Sequence, residues 1–133
     1  MKVSQMIIDL AADYIDFGST LEEKQNYLNV LCVAWNIAIL PESLRKEALD
    51  EFSANYKMKN PNDTDENIAN IQSDIQLLID EKVRMFPEIS SYIEYSEIKI
   101  KDDGYAIRVA SRPLYNKNLD GPDQETYSIS TLH

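Results

Sequence analysis

Few side chains in this sequence have the identity and position that catalysis requires. The only histidine is His133, the last residue, and the only cysteine, Cys32, lies in a charge-free, mostly apolar run over 28–40. Nucleophilic catalysis needs a base held in a fixed position, and a reactive thiolate needs electropositive, partly exposed surroundings. We therefore expect an inert buried thiol, no catalytic residue, no cofactor and no enzymatic activity.

A line of polar residues crosses the same apolar run. Gln25, Asn29, Cys32 and Asn36 step by four, three and four, so they share one face of a helix. Asparagine is a poor helix former and is costly to bury without hydrogen-bond partners. Three interpretations stay open. The amides bond a neighbouring helix or loop and fix the packing register, they line a shallow pocket for a small polar ligand, or they form a partly solvated strip.

Three carboxylates form a second candidate group. Asp9, Asp13 and Asp16 fall on one face of the first predicted helix, and Asp16 lies in its last turn, where negative charge is unfavourable. This acidic face is either solvated or offset by a cationic neighbour or partner. A di-metal bundle would need Glu-x-x-His motifs, which the sequence lacks, and 63–67 and 118–121 lack the full calcium-loop spacing, so we expect no metal.

Apolar residues at three- and four-residue steps predict the elements that position these groups. Ser19 with Glu22 and Asp63 with Glu66 have the spacing of capping boxes, which mark helix starts. The charge-free run should form the central helix and bury Trp35 against the first and fourth helices. The predicted helices cover about 3–17, 20–40, 41–59 and 64–86.

After Pro87 the pattern changes to short runs rich in Ile, Tyr and Val, which predict a β-hairpin over about 91–112. Strict alternation would place Tyr92, Glu94, Ser96, Ile98 and Ile100 on one side, with Ile93 and Tyr95 on the other. The polar stretch 115–133 is expected to lack stable structure. The predicted fold is therefore α+β and mainly α: an antiparallel four-helix bundle, a C-terminal β-hairpin and a flexible tail, with 1–114 as a single domain.

Charge and composition indicate which classes of partner the chain can bind. The chain has 23 acidic and 13 basic residues, a net charge of −10, which disfavours nucleic acid and an anionic membrane. One cysteine and no signal-peptide pattern lead us to expect a cytoplasmic protein. Tyrosine is frequent at interfaces, and an open strand edge invites another chain. The candidate partner-binding residues are Tyr92, Tyr95, Ile98, Tyr105 and Ile107.

The function predicted from these patterns is a non-enzymatic, acidic protein-interaction module. It would bind a protein partner, or a second copy of itself as a homodimer, through the hairpin and a helix face. The alternative is a helical bundle that binds a small ligand or metal with the polar line of Gln25, Asn29 and Asn36 and nearby carboxylates.

Overall fold

A computed structural model describes residues 3–15, 20–101, 104–113 and 123–130 of the 133-residue chain. The prediction of a mainly α chain, with four helices followed by an antiparallel β-hairpin, is confirmed. Within the described residues, none of the helices combines the length and apolarity needed to cross a bilayer. The elements are α1 (Val3–Ile15), α2 (Leu21–Ala38), α3 (Glu42–Lys59), α4 (Asp65–Met85), β1 (Ser91–Lys101), β2 (Gly104–Pro113) and β3 (Asp123–Ser130).

The central helix is α2, which contacts the other three helices and β1. Its residues Leu28, Leu31 and Trp35 have no exposed surface, in keeping with a helix that is apolar on nearly every side. They share one core with Ile75 of α4 and Ile107 of β2. The apolar run therefore joins the helices and the sheet into one hydrophobic core.

Two helices begin one residue later than the capping boxes predicted. Thr20 is the N-cap of α2, and its hydroxyl accepts a hydrogen bond from the Glu23 amide at 3.1 Å. Thr64 caps α4 in the same way, accepting from the Asn67 amide at 3.0 Å. Threonine is itself a good N-cap residue, so each threonine competes with the Ser or Asp that precedes it.

Side-chain contacts show that α3 and α4 run antiparallel. Lys57, near the end of α3, forms an ion pair with Asp65, at the start of α4, at 3.0 Å. Asp50, one to two turns earlier in α3, accepts a hydrogen bond from Gln72, further along α4, at 3.3 Å. The short connection between the two helices therefore reverses the chain.

The sheet has three antiparallel strands in the order β1-β2-β3. Lys101 pairs with Gly104 across the hairpin, and β3 pairs with β2 from Gly104–Ser130 to Ser111–Asp123. The prediction that 115–133 lacks structure is therefore wrong for 123–130. Residues 114–122 and 131–133 lie outside the described residues.

A β-bulge at Glu94 interrupts the alternation of β1. Ile93 lies opposite Ser111 and Tyr95 lies opposite Ala110, so Glu94 is an extra residue on its strand. Strict alternation would put Ile93 and Tyr95 on one side, but Ile93 is 4% exposed and Tyr95 is 45% exposed. The bulge therefore turns Ile93 into the core.

Trp35 is fixed from several directions. Its Nε1 donates a hydrogen bond to the Ser91 carbonyl at 2.7 Å, and its ring centroid lies 6.3 Å from that of Phe86. The Lys82 ammonium lies 5.0 Å from the indole centroid and donates to the Ile89 carbonyl at 2.5 Å. Burial lowers the pKa of Lys82 from its ordinary value. The packing against α4 agrees with the prediction for the central helix.

We expect Trp35→Ala to lower the free energy of unfolding by about 3–5 kcal/mol, because it removes a fully buried ring and leaves a cavity. Urea unfolding followed by far-UV circular dichroism measures the change. Native tryptophan emission should be blue-shifted, since Trp35 is the only tryptophan. Emission near that of free tryptophan in water would contradict the burial of the ring.

The turn between α3 and α4 is organised by one carboxylate. Asp63 accepts hydrogen bonds from the Asn67 side-chain amide, from the Tyr56 hydroxyl and from the Thr64 amide, at 2.8, 2.8 and 2.9 Å. The Asn67 and Tyr56 bonds hold the pKa of Asp63 below its ordinary value. Because the folded pKa is lower than the unfolded one, this stabilisation is present above the unfolded pKa. It is lost as the pH falls through the folded pKa.

Asp63→Asn should therefore lower the melting temperature at pH 7. It should also weaken the loss of stability below about pH 4, near the pKa of an unfolded aspartate. Melting temperatures from pH 7 to pH 2 test this, with Glu66→Gln, an exposed charge in the first turn of α4, as the matched control. Equal acid limbs for Asp63→Asn and Glu66→Gln would contradict the role of Asp63.

Candidate functional site

The polar line on α2 lies against the outer edge of β1. The Asn36 amide nitrogen donates to the Ile93 carbonyl at 2.9 Å, and the Ile93 amide donates to the Asn36 oxygen at 2.8 Å. One side chain thus satisfies both main-chain groups of a strand residue, as a neighbouring strand would.

Gln25 makes a similar pair of contacts further along the strand. Its oxygen accepts from the Ile98 amide at 2.9 Å, and its nitrogen donates to the Ser96 carbonyl at 3.4 Å and to the Asn29 oxygen at 2.9 Å. Between them, the Cys32 thiol contacts the Ser96 hydroxyl at 3.2 Å. We call this contact the amide seam: Gln25, Cys32 and Asn36 of α2 against Ile93, Ser96 and Ile98 of β1.

The chemistry of Cys32 follows from its place in the amide seam. Burial raises the pKa of its thiol to about 11, although the hydrogen bond to Ser96 opposes that rise. A thiol with this pKa is protonated at neutral pH, and only the thiolate is a good nucleophile. Cys32 therefore contributes packing and a weak hydrogen bond.

The amide seam also changes the prediction of an open hairpin edge. The outer edge of β1 is covered by α2 side chains, and the outer edge of β2 is paired with β3. The hairpin therefore offers no open edge along these described stretches. Covering an edge with a helix is one way in which proteins prevent pairing with another chain.

The five candidate partner-binding residues differ in their exposure to solvent. Ile98 is 5% exposed and Ile107 has no exposed surface, so both belong to the core and not to a surface. Tyr92 and Tyr95 are 42% and 45% exposed. The side chain of Tyr105 lies outside the described residues. The surface candidates are therefore the two tyrosines of β1.

These tyrosines border two grooves between β1 and the helices: Tyr92 lies with Asn36 and Phe52, and Tyr95 lies with Asn29 and Cys32. In the strand register, Tyr95 is beside Ala110 and Tyr92 is beside Arg112, so small and long side chains alternate along β2. Ala106 and Ala110 are 6% and 4% exposed, so the longer side chains around them supply the accessible surface. We call this surface the tyrosine face, made of Tyr92, Tyr95, Glu97, Lys99, Ala106, Arg108, Ala110 and Arg112.

Several groups of the tyrosine face are held in place by charge-assisted contacts. The Tyr95 hydroxyl donates to Glu97, which also pairs with Lys99 at 3.2 Å. The hydrogen bond to Glu97 raises the pKa of Tyr95 above its ordinary value. Arg112 pairs with Glu94, the bulge residue, at 3.0 Å. The Tyr95 ring is therefore oriented by a contact within its own strand.

A groove of about 440 Å³ lies beside α2, towards α3 and α4. Asn29, which accepts a hydrogen bond from Gln25 of the same helix, lies on its rim and is exposed. The floor is apolar. The lining residues are Asn26, Asn29, Val30, Val33, Phe52, Tyr56, Asn60 and Ile71.

A larger groove of about 550 Å³ lies between α1 and α4, with Tyr27 of α2 contributing to its lining. Asp9 is the one member of the predicted acidic face whose side chain is described, and it lies on this groove. The side chain of Asp13, and all of Asp16, fall outside the described residues. Sequence reasoning missed Asp74, Leu77 and Met85 of α4, although Leu77 departs from the main apolar line of that helix.

Over residues 3–15, 20–101, 104–113 and 123–130, no three His, Cys, Asp or Glu side chains are grouped to hold a metal ion. Comparison with protein-family models, with curated proteins and with solved structures yields no match for this chain.

Asn36→Ala should lower the free energy of unfolding by about 1–3 kcal/mol, because it leaves the Ile93 N–H and carbonyl without their partner. The matched control is Asn26→Ala, at an exposed position of the same helix, where we expect a change within about 0.5 kcal/mol. Urea unfolding and amide exchange at Ile93 measure both effects. Equal losses for the two variants would contradict a structural role for the amide seam.

Proposed function

We propose that this chain is a non-enzymatic binding module that holds a protein partner on its tyrosine face. The observation that carries the proposal is the pair of half-exposed tyrosines, Tyr92 and Tyr95, on β1. Tyrosine combines a large apolar body with a polar tip, and it is enriched among the residues that dominate binding energy at interfaces.

The tether on Tyr95 adds to this argument. A side chain that is already oriented by Glu97 loses less conformational freedom when a partner covers it. Immobilising a flexible side chain at an interface costs about 0.5–1.5 kcal/mol, so the tether favours binding at this position.

The distribution of charge also favours the tyrosine face as the binding surface. Around the tyrosines, Lys99, Arg108 and Arg112 face Glu94 and Glu97, so charges of both signs alternate. The whole chain has a net charge of −10, which makes the tyrosine face less acidic than the chain average. A mixed pattern of this kind favours a partner with complementary charges and opposes a wrong register.

The amide seam determines how the partner approaches. Because α2 covers the outer edge of β1, a partner cannot add a strand there without displacing Asn36 and Gln25. Docking on the exposed side chains of the tyrosine face leaves those hydrogen bonds intact. The proposed mode is therefore contact between side chains, not strand addition at β1.

A small-ligand site is the second candidate, favoured by the groove of about 440 Å³ beside α2. Its apolar floor and its amide rim at Asn26, Asn29 and Asn60 suit a small ligand with an apolar body and polar edges. A small molecule that raises the melting temperature in a dose-dependent way, with the effect lost in Asn29→Ala, would favour this candidate.

The partner proposal predicts that Tyr92→Ser/Tyr95→Ser loses its protein partner, while the wild-type chain retains it. Affinity capture from the native host, quantified by mass spectrometry, should show a loss of more than about tenfold for that partner. Met58→Ser is the matched control, because Met58 is 79% exposed on α3 and lies outside the tyrosine face. Far-UV circular dichroism checks that each variant is folded.

Capture of the same proteins by wild type and the tyrosine variant would contradict the proposal. Sedimentation at micromolar concentration separates the two kinds of partner. Self-association that is lost in the tyrosine variant and kept in Met58→Ser would identify the partner as a second copy of this chain.

A further inference from the structure

The groove between α1 and α4 has a composition that the tyrosine face lacks. We propose that this groove binds a basic amphipathic helix of a partner protein. It shares no lining residue with the tyrosine face. The proposal therefore stands on its own observations and not on the proposed function above.

Apolar side chains supply the floor and part of the rim. Leu10 of α1 and Leu78 of α4 are buried at the base, while Leu77 is 62% exposed and Met85 is 37% exposed. An exposed leucine and methionine beside the buried leucines at the base of the groove give a partner's apolar side chains a place to pack. Methionine is flexible and adapts to side chains of different shapes.

The length of the groove fits a helix. The α4 residues that line it run from Asp74 to Met85 at steps of one and three. This stretch is about 16 Å long at 1.5 Å per residue, or three helical turns. A helix that lies along it can place apolar residues at positions i, i+3 or i+4, and i+7 on the floor.

The charge of the rim selects a basic helix. Asp9 and Asp74 stand on the groove, and the ion pairs of the described residues include neither of them. Glu81 is paired with Arg84 at 2.6 Å, so the rim has an excess of negative charge. With the net charge of −10, a second copy of this chain or an anionic bilayer would be repelled, whereas Lys or Arg flanking an apolar stripe would be attracted.

The test begins with a defined set of probes. A displayed library of helical peptides of about 16 residues carries leucine at i, i+3, i+4 and i+7, with all other positions randomised among Lys, Glu, Gln and Ser. Selection against the full chain should enrich peptides with a net charge of about +3 or more. Their dissociation constants are then measured by fluorescence anisotropy.

Variants of the groove test where the selected peptides bind. Leu77→Lys should raise the dissociation constant more than about tenfold, and Asp9→Asn/Asp74→Asn should raise it about fivefold at low salt. Leu44→Lys, at a leucine 47% exposed on α3, and Glu66→Gln are the matched controls, with changes below about twofold. Tyr92→Ser/Tyr95→Ser should leave peptide binding unchanged, so failure here is distinct from failure of the proposed function.

Three results would overturn the proposal. The first is enrichment of neutral or acidic peptides, and the second is the enrichment of no peptide above background. The third is binding of the selected peptides to Leu77→Lys as tightly as to wild type while circular dichroism shows that the variant is folded.

Discussion

The outer edge of β1 imposes the main constraint on this structure. A strand against a hydrophobic core must satisfy its outward N–H and carbonyl groups, because a buried polar group without a partner costs about 1–3 kcal/mol. Here the partners are side chains of a helix. From Gln25 to Asn36, α2 advances about 16 Å, and from Ile98 back to Ile93, β1 covers about the same distance. Helix and strand therefore stay in step along the amide seam.

The same constraint explains the bulge at Glu94. In a regular strand, main-chain groups and side chains alternate, so residues five apart point in opposite directions. Ile93 and Ile98 are five apart, yet both bond α2 through the main chain and both bury their side chains. One extra residue between them restores the alignment, and Glu94 supplies it. The bulge is therefore a requirement of the amide seam, and it also separates Ile93 from the exposed Tyr95.

The four helices and the hairpin could be predicted from the sequence, because the spacing of apolar residues that indicates them is visible within a short stretch of chain. The caps were placed one residue early, since Thr20 and Thr64 follow other cap-forming residues. The strand β3 was missed because its residues are mostly polar. Its alternation of Glu125, Tyr127 and Ile129 with small polar residues was nevertheless a readable signal.

The polar line on α2 could be recognised from spacing, but its partner could not. Nothing local to Gln25 or Asn36 indicates that a strand edge some 60 to 70 residues later will accept and donate their hydrogen bonds. Similarly, the groove between α1 and α4 unites Asp9 with Asp74 only through the packing of the chain. Tertiary contacts determine which distant segments form a common surface. Local sequence patterns can therefore identify individual residues of such a surface, but not which residues lie together.

The position of α2 also bears on how the tyrosine face and the α1–α4 groove relate. On α2, Tyr27 lines the groove. Asn36 and Gln25 bond the strand that carries the tyrosines. The residues of α2 between these positions include Leu28, Leu31 and Trp35, which have no exposed surface. Coupling between two surfaces requires an element with two arrangements of similar energy. A close-packed helix interior resists such rearrangement, because a shift in packing there leaves voids or strain. The two surfaces are therefore expected to act independently, and substitutions on them, which share no contacts, should have additive effects on stability.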